Sequence, residues 1–147
     1  MNKTKNNTLI KYANEALVEQ NPNAKFGISK ILNDSNIEEA YNGSIASLSV
    51  SIAMSELRPA LAIYYQDKPN SASKPKANRR SVLDAIARII TKDAAERKLG
   101  KWDFSSNEDF AKNLFDYAVN NEDKDLKQEV IDCSIALKQI VRTYNLV

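Results

Sequence analysis

The chain contains no histidine and only one cysteine, three glycines and four prolines among its 147 residues. Without imidazole, every mechanism that uses histidine as an acid, a base or a metal ligand is excluded. The single Cys133 can form neither an intrachain disulfide nor a thiolate zinc site, and this favours a reducing compartment, the cytoplasm. The scarcity of glycine and proline leaves too few turn formers for a β-sandwich or a barrel. The composition therefore predicts helices.

The sequence also lacks the segments that nucleotide binding, export or membrane insertion would need. Its three glycines are isolated, so neither a GxGxxG turn nor a Walker A loop can be written. The polar first eight residues do not resemble the apolar part of a signal peptide. The longest apolar run, 60–65, is far shorter than the roughly 20 residues that span a bilayer. We expect a soluble cytoplasmic protein with one domain, 1–147.

Hydrophobic periodicity predicts an all-α fold, a compact bundle of five or six helices. A first helix contains Leu9 and Leu17 and stops before 21–23, and 26–32 forms a short apolar patch. An S-x-x-E capping box at 35–38 predicts the start of a second helix. We expect that helix to be central because it has two apolar stripes. The main stripe is Tyr41, Ile45, Leu48 and Ile52, and the second is Ala46, Val50 and Ala53.

The second half of the chain predicts further helices separated by polar breaks. Pro59 predicts a bend at 55–59 and a new short helix that ends near Gln66. The polar stretch 67–80 predicts an exposed, mobile basic loop that becomes ordered against a partner. Capping boxes at 81–84 and 105–108 predict two more helix starts, with a stop at Gly100 between them and another at 120–121. A last helix runs from Leu126 to the C-terminus.

Charge is unevenly distributed along the chain. The block 68–101 contains ten lysines and arginines against three acids, whereas 102–132 contains three lysines against nine acids. Because few acids lie within the basic block, pairing inside its helix cannot neutralise most of the cations. We weigh two interpretations, a solvated charged face and a phosphate-binding surface.

We favour nucleic acid as the partner of this basic block. No aromatic residue lies between Gln66 and Lys101, so contacts there are expected to phosphates and sugars without sequence readout. The expected RNA-binding residues are Arg58, Lys68, Lys74, Lys76, Arg79, Arg80, Arg88 and Lys92.

Carboxylates could hold Mg²⁺ without histidine, and the densest groups are Glu108 and Asp109 with Asp116, and Asp123 with Asp125. Acids at helix starts also complement the helix dipole, so we expect no metal and no cofactor. Cys133 lies on an apolar stripe and is expected to be an inert core thiol.

Two aromatic features are also informative. Trp102 and Phe104 follow Gly100, where we expect them to anchor a turn rather than form an interface. Tyr64 and Tyr65 are adjacent on a helix, so one of them is expected to face a partner.

The order of these segments resembles a known family. The run YNGSIASLSVSIAMSELRPALAIYY at 41–65 reads as a long helix, a break and an ALAxYY-type segment, and 126–147 reads as a closing helix. This pattern, over nearly the whole chain, is similar to the small subunit of type III-B CRISPR RNA-guided effector complexes, the Cmr family. The chain departs from the family at the break, where 55–59 stands in place of a glycine-containing segment, and in the length of 67–80.

The resemblance implies a non-catalytic subunit in antiviral defence, with other Cmr subunits and guide and target RNA as its partners. It also implies several stacked copies, for which the basic and acidic blocks could supply head-to-tail contacts. The alternative is a protein-only helical adaptor or assembly subunit without nucleic-acid contact.

Overall fold

A computed structural model describes residues 2–20, 28–66 and 78–147. The all-α prediction is confirmed, because these residues form six α-helices and only one small three-stranded sheet. The helices are α1 (Lys3–Glu19), α2 (Glu39–Met54), α3 (Leu57–Tyr65), α4 (Arg79–Glu96), α5 (Phe110–Asn120) and α6 (Lys124–Val141). A 3₁₀ turn covers Ser106–Glu108, and the strands are β1 (Leu32–Asn33), β2 (Asn36–Ile37) and β3 (Asn145–Leu146).

The core lies between α6 and the helices around it. Helix α6 packs on α1 and α2, α4 packs on α1 and α5, and α3 lies against α4 and α5. Each helix contributes an apolar stripe, as its sequence period predicts. Cys133 is fully buried in this core, and burial raises the pKa of its thiol well above the ordinary value, so the prediction of a core cysteine is confirmed.

The predicted capping box at 35–38 is wrong. Asn36 and Ile37 form β2, which pairs antiparallel with β1 and parallel with β3 near the C-terminus. Helix α2 starts later, at Glu39, whose backbone N–H donates to the carbonyl of Val147 at 3.0 Å. The carbonyl of Val147, which follows β3, thus satisfies one of the N–H groups at the start of α2. Because Asn145 and Leu146 form β3 and pair with β2, the last helix ends at Val141 rather than at the C-terminus.

Helix α2 is central on one face only. Its predicted main stripe is buried at 0–3% exposure, from Tyr41 to Ile52. The predicted second stripe is wrong, because Val50 is 55% exposed and Ala53 is exposed as well. Met54 at the end of the helix is 83% exposed. The outer face of α2 is therefore apolar and open in the part of the chain that the structure describes.

The break before α3 is confirmed, since α2 ends at Met54 and Pro59 lies in the first turn of α3. The cap predicted at 81–84 lies three residues too late. Asn78 caps α4, and its side chain accepts a hydrogen bond from the Arg80 backbone N–H. Residues 78–80 thus belong to the cap and first turn of α4 rather than to a loop. The rest of the predicted loop, 67–77, lies outside the described residues, and so does the part of the predicted apolar patch before Ile28.

Between α4 and α5 the predicted anchor is confirmed, because Trp102 and Phe104 are 5% and 2% exposed. The cap predicted at 105–108 is wrong: Ser105 makes no side-chain cap bond, and α5 begins only at Phe110. Within the described residues, no helix is both long and apolar enough to cross a membrane.

Candidate nucleic-acid interface

The predicted RNA-binding residues do not form one surface. Lys68, Lys74 and Lys76 lie outside the described residues. Of the other five, Arg58 lies at the start of α3, and the remaining four lie on α4. Arg80 contacts Tyr65 at the end of α3, about 10 Å along that helix from Arg58 at 1.5 Å per residue.

Arg79 and Arg80 occupy the first turn of α4 and lie over neighbouring tyrosines of α3. The Arg79 guanidinium is 5.3 Å from the centre of the Tyr64 ring, and that of Arg80 is 4.4 Å from Tyr65. Arg80 Nε also donates to the Tyr65 carbonyl at 2.6 Å. Tyr65 in turn stacks on Phe115 of α5, with ring centres 4.7 Å apart. Contacts with the two tyrosines of α3 therefore hold both arginines at one end of the bundle.

This placement is electrostatically unusual for a helix start. The N-terminus of a helix carries a partial positive charge, so acids are favoured there and cations are disfavoured. Helix α4 has two arginines and no acid in its first turn. An anion bound at this end would complement both the arginines and the helix dipole.

A buried polar network lies beneath the same helix start. Gln20 Nε2 donates to the Ser81 carbonyl and to Asp84 Oδ2, both at 2.8 Å. The Tyr41 hydroxyl accepts from the Asn78 backbone N–H at 3.2 Å. Burial raises the pKa of Asp84, and hydrogen bonds from Arg88 and Gln20 only partly offset this. The network ties α1 and α2 to the beginning of α4, so the two arginines are carried on a rigid element.

Arg88 and Lys92 are held in ion pairs. Arg88 Nε lies 2.9 Å from Asp84 Oδ2, and its guanidinium lies over the Phe110 ring at 4.3 Å. Lys92 Nζ contacts Glu15 at 2.9 Å and also Glu19. The side chains of Arg88 and Lys92 are only 15% and 27% exposed. The inference that the basic block lacks partners is wrong here, because Asp84 pairs with Arg88 within α4 and two acids of α1, far away in sequence, pair with Lys92.

Arg97 and Lys101 of the basic block are also paired, Arg97 with an acid of its own helix and one of α6, and Lys101 with the cap of α6. Arg97 contacts Asp93 at 2.6 Å and Glu129 at 2.9 Å, and Lys101 lies 3.6 Å from Asp123. Burial and the neighbouring Asp93 raise the pKa of Glu129. The acidic block therefore neutralises part of the basic block inside one molecule.

Arg58 belongs to a different feature, an open cleft of about 490 Å³ between the start of α3 and the turn from α5 to α6. Its Nε donates to the Ala118 carbonyl at 2.8 Å, and its guanidinium lies 3.9 Å from Glu122. Lys127 lies 4.0 Å from Glu56 across the same cleft. The ionisable residues that line the cleft balance in charge, three acids against Arg58 and two lysines.

Two of the carboxylates considered for Mg²⁺ are engaged by neighbouring side chains. Asp123 Oδ2 accepts hydrogen bonds from Trp102 Nε1 at 2.9 Å and from the Tyr117 hydroxyl at 2.8 Å, and its other oxygen caps α6. Asp116 pairs with Lys112 at 2.7 Å. Among the described residues, no three histidine, cysteine or acidic side chains come together in a group that could hold a metal.

Sequence reasoning missed the aromatic side of the arginine pair. We expected no aromatic group in the basic block, and none lies there, but α3 brings Tyr64 and Tyr65 beneath Arg79 and Arg80. The adjacent tyrosines were the available signal. Tyr64 is buried, with its hydroxyl donating to the Ser44 carbonyl, and Tyr65 is half-buried under Arg80 and against Phe115.

Comparison with known proteins found no matching family model, no similar curated protein and no similar solved structure.

Proposed function

We propose that this chain is a non-catalytic small subunit of a type III-B CRISPR (Cmr) ribonucleoprotein effector in the cytoplasm, acting in antiviral defence. The order of segments supports this proposal: a long helix at 39–54, a break, a short helix ending in two tyrosines, and a closing helix from Lys124. In such a complex the chain stacks in several copies and touches the backbone of guide and target RNA.

One observation carries the RNA-binding part of the proposal, the arginine pair in the first turn of α4. Both guanidinium groups are held over Tyr64 and Tyr65 at a helix start whose first turn holds no acid. RNA phosphates would be bound there by the two arginines together with the positive end of the helix dipole. We therefore concentrate the proposed contacts at Arg79 and Arg80. Arg88 and Lys92 are secondary, because their side chains are only 15% and 27% exposed.

The salt dependence of RNA binding tests this assignment. Replacing both Arg79 and Arg80 by alanine should weaken binding of the full chain to single-stranded RNAs of unrelated sequence alike. It should also reduce the slope of log K against log salt by about 0.7 to 1.4, since each phosphate contact contributes about 0.7. Fluorescence anisotropy over a salt series measures both quantities, with circular dichroism confirming that the variant is folded.

Two further variants control this experiment. The double change to lysine keeps both charges and should retain most of the slope. The matched control Lys3→Ala with Lys11→Ala removes two exposed cations from α1 and should leave the slope unchanged. An unchanged slope in the Arg79 and Arg80 alanine variant would contradict the proposed contact.

The alternative, a protein-only helical adaptor, is favoured by a different observation. Arg88, Lys92, Arg97 and Lys101 are all paired inside the molecule, which reduces the charge available to nucleic acid. Affinity purification from the native host separates the two functions. Co-purifying RNA with other CRISPR subunits supports the effector proposal, whereas native mass spectrometry of protein complexes that RNA neither joins nor alters supports the adaptor.

A further inference from the structure

The outer face of α2 is uncharged although it is exposed. No acidic or basic residue occurs in 40–55, in a chain of which 27% is charged. Gly43, Ser47, Val50 and Met54 form one exposed stripe along this helix, at the spacing i, i+4, i+7 and i+11. The opposite stripe is buried in the core, so the helix is apolar or neutral all round, as expected of a helix with partners on both sides.

The size of the side chains along this stripe is graded. Gly43 and Ser47 are small, and no neighbouring atom lies within 4 Å of the position that a Cβ of Gly43 would occupy. Val50 and Met54 are large, and they are 55% and 83% exposed. One half of the stripe is therefore a shallow groove, and the other half projects from the surface.

Such a stripe is complementary to itself in one orientation only. If two copies of α2 lie antiparallel across a twofold axis, Met54 of each copy meets Gly43 of the other, and Val50 meets Ser47. A parallel arrangement would place Met54 against Met54 and leave a gap at Gly43. A twofold contact is also the commonest symmetry of homodimers. No charge of the stripe is desolvated, because Glu39 and Glu56 lie beyond its ends and are exposed.

The geometry points to a second copy of this chain as the occupant of the outer face of α2, in an antiparallel, twofold helix pair. Nucleic acid is disfavoured there because the stripe offers no cation to a phosphate.

The 16 residues of α2 give a strip about 24 Å long and about 10 Å wide, or roughly 240 Å² on each copy. A standard stable interface buries about 800 Å² per partner. The pair is therefore weak in dilute solution, and association is expected only at high protein concentration. This inference does not depend on RNA binding.

Sedimentation velocity of the full chain from about 10 µM to 1 mM tests the existence of the pair. A reversible shift from monomer to dimer is expected. Gly43→Leu fills the groove and removes a helix glycine, so it should raise the melting temperature while weakening the dimer about tenfold or more. Val18→Glu is the matched control, because Val18 is 60% exposed on α1, and it should leave the dimer unchanged. A chain that stays monomeric at 1 mM, or a dimer that only Val18→Glu weakens, overturns the proposal.

A mixing experiment tests the register. Ser47→Lys and Val50→Glu should each weaken self-association about tenfold or more, because each places an unpartnered charge in the apolar contact. When the two variants are mixed, the introduced lysine of one copy meets the introduced glutamate of the other, while the second layer remains native. Association in the mixture should return to the level of the unaltered chain. Dimers that form without this rescue would overturn the antiparallel pair.

Discussion

Replacing Lys5 by methionine tests the buried ion-pair network that joins α1, α4 and α6. Lys5 Nζ lies 3.1 Å from Glu129 and 3.3 Å from Asp132, whose side chains are 3% and 5% exposed. Arg97 of α4 also contacts Glu129, at 2.9 Å, and pairs with Asp93. Three carboxylates are thus held by two cations. Methionine keeps most of the length and packing of the lysine stem but removes its charge.

The expected loss of stability at pH 7.5 is about 2 kcal/mol. Removing one partner of a fully buried ion pair costs about 3–5 kcal/mol. We expect less here because the Lys5 side chain is 26% exposed and Arg97 still donates to Glu129. Burial lowers the pKa of Lys5, but Glu129 and Asp132 more than offset this and raise it, so the lysine is charged in the folded chain.

The loss should depend on pH in a defined direction. Burial and the neighbouring Asp93 raise the pKa of Glu129 above its ordinary value of 4.5, against the effect of Lys5. Between the ordinary and the raised pKa, the folded state binds the proton of Glu129 more tightly than the unfolded state does. The contribution of Glu129 to the free energy of unfolding therefore falls as pH rises. Without Lys5 the folded pKa moves higher still. At pH 5, protonation of Glu129 removes the charge that Lys5 would have paired. The loss of stability caused by Lys5→Met should therefore be smaller at pH 5 than at pH 7.5.

Urea unfolding followed by circular dichroism at both pH values measures the two losses. Lys11→Met is the matched control, since Lys11 is exposed on the same helix, and its effect should stay within about 0.5 kcal/mol. Equal losses at pH 5 and pH 7.5 would refute the electrostatic reasoning and assign the effect to packing. A loss below about 0.5 kcal/mol at pH 7.5 would refute the stabilising role of the pair.

Two further substitutions test the core and the turn before α6. Ile45→Ala should cost about 2–5 kcal/mol in urea unfolding because Ile45 is fully buried, whereas Val50→Ala on the exposed face of the same helix should cost less than about 1 kcal/mol; similar costs would contradict the assignment of the two faces. Asp123→Ala should lower the free energy of unfolding by about 2–3 kcal/mol and shift the fluorescence of Trp102, because it removes the cap of α6 and the acceptor of the indole N–H. The control Asp125→Ala should do neither, because the Asp125 side chain is 84% exposed.

Local pattern determined where most helices lie. The stripe from Tyr41 to Ile52 is buried as its spacing predicts, and Pro59 marks the first turn of α3 because proline is tolerated there and not further inside. These features depend on residues within a few turns of each other. They could therefore be inferred without knowing what packs against them.

The predicted helix starts at 35–38 and 81–84 were wrong because distant segments supplied the partners, and the start at 105–108 was wrong because of the local backbone. At 35–38, Ile37 pairs with Leu146 in the sheet, so these residues form a strand instead of a capping box. At 81–84 the capping pattern belongs instead to buried polar side chains: Ser81 accepts from the Ser29 backbone N–H, and Asp84 accepts from Gln20. At 105–108 the chain turns through Asn107 and Glu108 at positive φ before α5 begins. Spacing alone cannot tell a local cap from a tertiary contact.

For the candidate interface, too, some features follow from the sequence and others only from the tertiary structure. Sequence by itself determined that the chain has a basic block, that it has no histidine and that its helices are amphipathic. Only the tertiary structure decided that Lys92 is neutralised by acids of α1 and that Glu129 of α6 joins Asp93 in pairing with Arg97. It likewise placed Arg79 and Arg80 over tyrosines of α3 and left the outer face of α2 open. The physical reason is that periodicity records which face of a helix is apolar, whereas charge pairing and exposure depend on which helix lies beside it.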